Sequence, residues 1–171
     1  MTRIAVITGS VRPASVGVPV AQWVADKANT VEGVQATVLN LADFNLPMFV
    51  EDVAPAMRPA TDPAAVRWNE ALASYDAYVF VTPEYNFSIS GALKNAIDFI
   101  TPSVLANKAV GLVGYSFGSG YRAVEALRDI LVKKGVTGKN YRSYMSVYIK
   151  YGYGVKAHTN DYLQSTQKSK F

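Results

Sequence analysis

Residues 77–98 constrain the fold more than any other stretch. Ala77-Tyr78-Val79-Phe80-Val81 is a continuous apolar run of strand length. It gives way to a polar and aromatic segment, Pro83-Glu84-Tyr85-Asn86-Phe87-Ser88, and then to Gly91–Asp98, where Ala92, Leu93, Ala96 and Ile97 share one helical face. A strand apolar on both sides suits a sheet covered on both faces. The order strand, loop, helix puts the loop at the strand's carboxyl end, in the crevice where open parallel sheets bind ligands. An earlier unit repeats this form. Ile4-Ala5-Val6-Ile7-Thr8 leads into Gly9-Ser10-Val11-Arg12-Pro13-Ala14-Ser15 and then a helix. Two such loops define one candidate site.

The same alternation runs through most of the chain. Strands are expected at Arg3–Thr8, Val34–Leu41, Ala77–Val81 and Lys108–Val113. Helices are expected at Val18–Lys27, from Asp62-Pro63 onward, and at Gly91–Ile100. Another carries Ala123, Val124, Leu127, Ile130 and Leu131 inward. Asp62 is suited to accept from free backbone N–H groups, and Pro63 loses nothing at a first helical position. Gly135 ends the last of these helices, just after Lys133 and Lys134, which suit its C-terminal dipole. Tyr141–Ile149 has both helical and strand spacing; its β-branched and aromatic content favours a fifth strand. The reading is an α/β chain with a five-stranded parallel sheet, helices on both faces, and a single domain over 1–171. Asn160–Phe171 has few apolar residues, so a last helix is short or absent.

Half of the 171 residues are hydrophobic and 18% are charged, which suits a globular domain. There is no Cys, which excludes disulfides and thiolate chemistry. No apolar run reaches transmembrane length and the N-terminus enters strand pattern at once, so a cytoplasmic protein is expected, with neither membrane nor nucleic acid as partner. The net charge of +4 is concentrated from Lys133 onward, where eight Lys/Arg face one acid, Asp161. Such a field attracts anions, though a solvated basic face has the same composition.

Three segments carry a resemblance. Gly9-Ser10-Val11-Arg12-Pro13-Ala14-Ser15-Val16-Gly17, Pro83 through Asp98, and Gly114-Tyr115-Ser116-Phe117-Gly118-Ser119-Gly120-Tyr121-Arg122 resemble the loops of the NADPH-dependent FMN reductases, a flavodoxin-like family that includes bacterial quinone, chromate and azo-dye reductases. Gly17 stands where the family usually has Asn, and Ser90 where it usually has Pro. The resemblance implies a flavodoxin-like three-layer sandwich with strand order 2-1-3-4-5. It also implies FMN as cofactor, NADPH or NADH as electron donor, and a homodimer or homotetramer.

The residues suit that chemistry. Ser10, Arg12, Ser15, Val16 and Gly17 precede a helix, whose N-terminus offers unpaired N–H groups and partial positive charge to a phosphate. Ser and Gly before a helix also make a plain turn and cap. Pro83, Glu84, Tyr85, Asn86, Phe87 and Ser88 can present main-chain groups, an amide and two aromatic rings to a flat, polar-edged ring. Ser116 and Gly118 provide small residues where a ring edge approaches backbone. Arg122 is placed to meet either the donor's phosphate or a nearby carboxylate. Lys94 and Asp98 are spaced for a helix-surface pair. His158 is alone in a polar tail, no serine has a base, and Glu51-Asp52 has no His beside it. No catalytic side chain and no metal ligand is therefore expected. The resulting expectation is ping-pong transfer from NAD(P)H through FMN to quinones, azo compounds, free flavin or metal oxyanions. Alternatives are a flavin-binding regulatory or interaction module and a flavodoxin-type electron carrier. The pI of about 9.2 suits the carrier poorly.

Overall fold

The structure, a computed structural model, describes residues 1–134, Val136, and the backbone of 141–149 and 155–158. The elements in order are β1 (Thr2–Thr8), α1 (Gly17–Ala28), β2 (Val34–Leu39), α2 (Pro63–Ala73), β3 (Ala77–Pro83), α3 (Gly91–Asp98), α4 (Pro102–Leu105), β4 (Ala109–Ser116), α5 (Tyr121–Val132), β5 (Tyr141–Ile149) and β6 (Val155–His158). A 3-10 turn, Leu41–Phe44, follows β2. The sheet order is β2-β1-β3-β4-β5-β6. The pairs β1–β2, β1–β3 and β3–β4 are parallel, which agrees with the expected order over its 2-1-3-4 part, and β5 pairs parallel with β4.

One strand is additional. β6 pairs antiparallel with β5, placing Val155 opposite Ile149. Five intervening residues are too few for a parallel crossover, so the chain pairs by doubling back. The Tyr-Gly-Tyr-Gly run at 151–154 and the segment 160–171, where the last helix was expected short or absent, lie outside the described residues.

Two cores flank the sheet. On one face Trp68 and Leu72 of α2, Leu93 and Ile97 of α3, and Leu127 and Leu131 of α5 pack on Ile7, Phe80 and Leu112. On the other, Val20, Ala21 and Val24 of α1 pack on Val6, Val81 and Val113, and α1 is the only helix there among the described residues. The continuous apolar strands of the sequence follow from this double cover.

Local signals set the helix ends. Asp62 accepts from the N–H groups of Ala64 at 2.8 Å and Ala65 at 3.2 Å, with Pro63 at the first helical position. The α3 helix stops at Asp98, earlier than the expected Ile100, and α4 restarts at Pro102. Thr101 is extended, as a residue before proline prefers. Asn69 fixes this corner by donating to Phe99 O and accepting from the Thr101 N–H at 2.8 Å. Lys134 does not cap its own helix; its Nζ reaches the carbonyls of Asp98 and Ile100, at the C-terminal end of α3. Lys94 and Asp98 pair at 2.7 Å as the spacing suggests. Among the described residues no helix is long and apolar enough to cross a membrane. The loops after β1, β3 and β4 emerge together, because adjacent parallel strands end on the same edge.

Candidate functional site

The first loop holds an open helix N-terminus. Val16 stands at the N-cap of α1 with no side-chain cap, and the first turn carries no acid. No acid in its first turn compensates the positive end of the helix, and among the described residues only the Ser15 hydroxyl answers its first N–H, which suits an anion. Around it the loop is tied by hydroxyls. Ser10 is buried; its Oγ accepts from the Arg12 N–H at 3.3 Å and lies 3.1 Å from Tyr85 Oη. The Ser15 Oγ accepts from the Gly17 N–H at 3.0 Å and lies 3.1 Å from Tyr115 Oη. The exposed Arg12 guanidinium stands 5.8 Å from the Tyr85 ring centre.

The second loop is a tight two-residue turn. Tyr85 and Ser88 exchange both backbone hydrogen bonds, at 2.9 and 3.0 Å. Asn86 and Phe87 between them take φ of 50° and 66°. Positive φ at both central positions is the type I′ hairpin geometry, familiar for Asn but strained for an aromatic residue. Pro83 is buried at the end of β3 opposite Tyr115, and the Glu84 N–H donates to Tyr115 O at 3.0 Å. The N–H groups of Glu84, Tyr85 and Ser88 are therefore engaged. Those of Asn86 and Phe87, at the tip, have no protein acceptor among the described residues. The broad set of main-chain donors expected from 84–88 narrows to this tip.

Glu84 has a further role. Its carboxylate accepts from the N–H groups of Arg122 at 2.9 Å and Ala123 at 3.4 Å, so an acid from the second loop caps α5. The Arg122 guanidinium lies 4.1 Å over the ring of Phe87, which is 67% exposed. Ser90 acts as the N-cap of α3, accepting from the Leu93 N–H at 3.0 Å, and its hydroxyl donates to Gly9 O. The residue standing in for the family's Pro thus fastens the second loop to the first.

In the third loop Ser116 Oγ accepts from the N–H groups of Gly118, Ser119 and Gly120, at 2.9, 2.9 and 3.0 Å. That oxygen organises the turn and has little capacity left for a ligand. Gly118 is open: a Cβ there would come no closer than 3.7 Å to Ser116 Oγ. Gly114 and Gly120 approach each other so closely that neither can carry a side chain; Gly120 also takes φ of 76°.

These contacts bring the predicted residues of all three loops to one edge. Tyr85 bridges to Ser10, Tyr115 to Ser15, and Glu84 to α5. Tyr115 and Ser90 were not singled out as site residues by sequence reasoning. The available signal was Gly17 in place of Asn, since Tyr115 Oη occupies the space beside it. Burial raises the Tyr115 phenol above its ordinary pKa, against the lowering effect of its Ser15 bond and of Arg12. It is therefore a neutral hydrogen-bonding group at neutral pH. Among the described residues no cluster of His, Cys, Asp or Glu could hold a metal ion. The arrangement offers anion binding, a pair of free N–H groups and exposed aromatic surface, and these features fit FMN. A groove of about 670 Å³ beside loop one, lined by Val11, Leu46, Met48 and Asn95 among others, adjoins the same edge.

Comparison with known proteins places this geometry. The family model described as NADPH-dependent FMN reductase matches residues 2–145. The NAD(P)H-dependent FMN reductase ntnL of Nectria sp is 42% identical over 137 residues, covering 77% of this chain and 68% of its own. A quinone reductase of Pseudomonas putida is 33% identical over 135 residues, 75% of this chain and 69% of its own. Two other curated relatives are spanned for 58% and 52% of their length. Among solved structures, the flavoenzyme NAD(P)H:(acceptor) oxidoreductase FerB of Paracoccus denitrificans superposes with a TM-score of 0.62 at 26% identity, covering 79% of this chain and 73% of that one. With a family match running from β1 into β5 and a relative 42% identical over 137 residues, the chain belongs to the NADPH-dependent FMN reductase family.

Proposed function

We propose that this chain is an oxidoreductase that passes electrons from NAD(P)H, by way of FMN, to a small acceptor such as a quinone, azo compound, free flavin or metal oxyanion. The observation that carries the reading is the uncapped N-terminus of α1 beside Ser10, Arg12 and Ser15, on the same edge as the open tip of the second turn. Ser10, Arg12, Ser15, Val16 and Gly17 take the phosphate. Pro83 through Ser88 form the wall for the ring, with the free N–H groups of Asn86 and Phe87 as its donors. Ser116 and Gly118 border its edge through the shape of their turn. The bound flavin supplies the hydride chemistry, which explains why the chain needs no acid–base pair. The exposed Phe87 and Arg122 can meet an aromatic donor carrying phosphate.

Donor and acceptor are expected to use one open face in turn, giving ping-pong kinetics. Purified protein should carry a flavin spectrum that NADPH bleaches anaerobically with no acceptor present. After the nicotinamide is removed, a quinone should restore the colour. Reduction that requires both substrates together would overturn the two-step order, and FAD rather than FMN on acid release would overturn the cofactor.

The same reading makes the chain a single domain over 1–171, cytoplasmic, and a homodimer or homotetramer. Assembly is supported by α1 standing alone on its sheet face among the described residues, and by exposed Met48, Val50, Phe87 and Phe117. The side chains of Met145, Val147 and Ile149, expected to widen that surface, lie outside what is described. Light scattering of flavin-loaded protein at micromolar concentration should give at least twice the chain mass; a monomer mass would refute assembly.

A further inference from the structure

We infer that Tyr115 is a positioning residue for the cofactor phosphate: its hydroxyl donates to Ser15 Oγ, leaving Ser15 able only to donate to a ligand, and Gly17 is the space that this hydroxyl requires. The inference rests on the FMN reading above.

A serine hydroxyl has two lone pairs and one proton. Ser15 Oγ already accepts from the Gly17 N–H at 3.0 Å. The phenol of Tyr115 lies 3.1 Å away. A phenol is the stronger acid of the two, so the proton between them belongs to Tyr115. Both lone pairs of Ser15 are then filled. Its own proton is left for a third partner, which must be an acceptor. That proton sits beside the uncapped N-terminus of α1, where an anionic acceptor is favoured. Without the phenol, Ser15 keeps a free lone pair and can turn its proton elsewhere.

Tyr115 is well held for this task. It is 5% exposed at the end of β4, paired opposite Pro83, and its carbonyl accepts from the Glu84 N–H. Its phenol remains protonated across the neutral range because burial raises its pKa. Ser10 repeats the construction: its Oγ accepts from a backbone N–H, that of Arg12, and meets a phenol, that of Tyr85. The requirement on residue 17 is direct. A Cβ there would stand 2.6 Å from Tyr115 Oη and 3.0 Å from Ser15 Oγ. A side chain at 17 would therefore force the phenol at 115 or the Ser15 hydroxyl out of its present position.

The test compares FMN with riboflavin, which lacks the phosphate, by fluorescence titration of apoprotein. Tyr115→Phe keeps the buried ring and removes only the hydroxyl. It should weaken FMN about tenfold while leaving riboflavin within about twofold. Gly17→Ala should weaken FMN to a similar degree. The double variant should lose less than the sum of the two single losses, because the nearest atom that the new methyl would meet, Tyr115 Oη, is gone while Ser15 Oγ at 3.0 Å remains. The inference is overturned if Tyr115→Phe spares FMN or weakens both flavins alike, or if the two losses add. Wild-type protein that binds neither flavin would overturn the cofactor reading itself and this inference with it. Wild-type protein that prefers FMN, with unaffected variants, would overturn this inference alone.

Discussion

Gly114→Ala is expected to lower the stability of the apoprotein by about 3 kcal/mol, because it forces a methyl into closed backbone packing. For a chain of this size that corresponds to a fall of about 6–12 °C in melting temperature. The new Cβ would lie 2.3 Å from Gly120 O, 2.9 Å from Gly120 C and 2.8 Å from Val124 Cγ2. Two of those three atoms are backbone. Gly120 has little freedom to retreat, since it stands at the N-cap of α5 and the N–H groups of Arg122 and Ala123 in the first turn are held by Glu84. Relief by moving α5 would break that cap and disturb the second loop. Gly118→Ala is the control, since a Cβ there meets nothing closer than 3.7 Å. It should stay within about 0.5 kcal/mol of the parent. Thermal unfolding of the two variants decides the matter: equal melting temperatures would show that the Gly114–Gly120 approach does not limit stability.

Arg12→Ala is expected to weaken FMN roughly 10- to 100-fold, from the 1.5–3 kcal/mol typical of a hydrogen bond to a charged group. Arg12 is exposed, lies between Ser10 and Ser15, and has no acid in the first turn of α1 competing for it. Its partial stacking over Tyr85 keeps it near the loop. The loss should shrink as salt rises, because an exposed charge pair is screened. Riboflavin affinity should change little. Titration of the variant with both flavins checks this, and an unchanged FMN affinity would remove Arg12 from the site.

Local chemistry was readable in the sequence. Asp62-Pro63 starts α2 because a side-chain acceptor and an absent N–H act within three residues. The apolar runs of β1, β3 and β4 are visible because both faces of the sheet are covered. The Pro83–Asp98 unit announced its strand, loop and helix through contiguous residues. What remained hidden depends on distant partners. Tyr115 looks like an ordinary strand residue until Ser15, 100 positions earlier, meets its hydroxyl. Glu84 has, besides its expected place in the loop, a carboxylate that accepts from the N–H of Arg122, 38 positions later, and so caps a helix. The four residues of β6 are too few to show a period, and their pairing depends on β5 already being in place.

Those separations also bear on the order in which the molecule forms. The Ser10–Tyr85 and Ser15–Tyr115 contacts close loops of 75 and 100 residues, and each joins two side chains rather than a packed surface. Closing a long loop has an entropic cost that cooperative burial must offset, and a single hydroxyl pair adds only about 0.5–1.5 kcal/mol net to that burial. The first loop is therefore expected to complete its shape after the β1–β3–β4 sheet has condensed. On unfolding it is expected to open before the apolar strands beneath, which hydrogen exchange of the 10–16 amides would show. A phosphate bridging the open end of α1 and the two serines, as proposed above, would add cohesion to this loop and stabilise the folded chain in proportion to its affinity, so flavin-loaded protein is expected to melt higher than apoprotein.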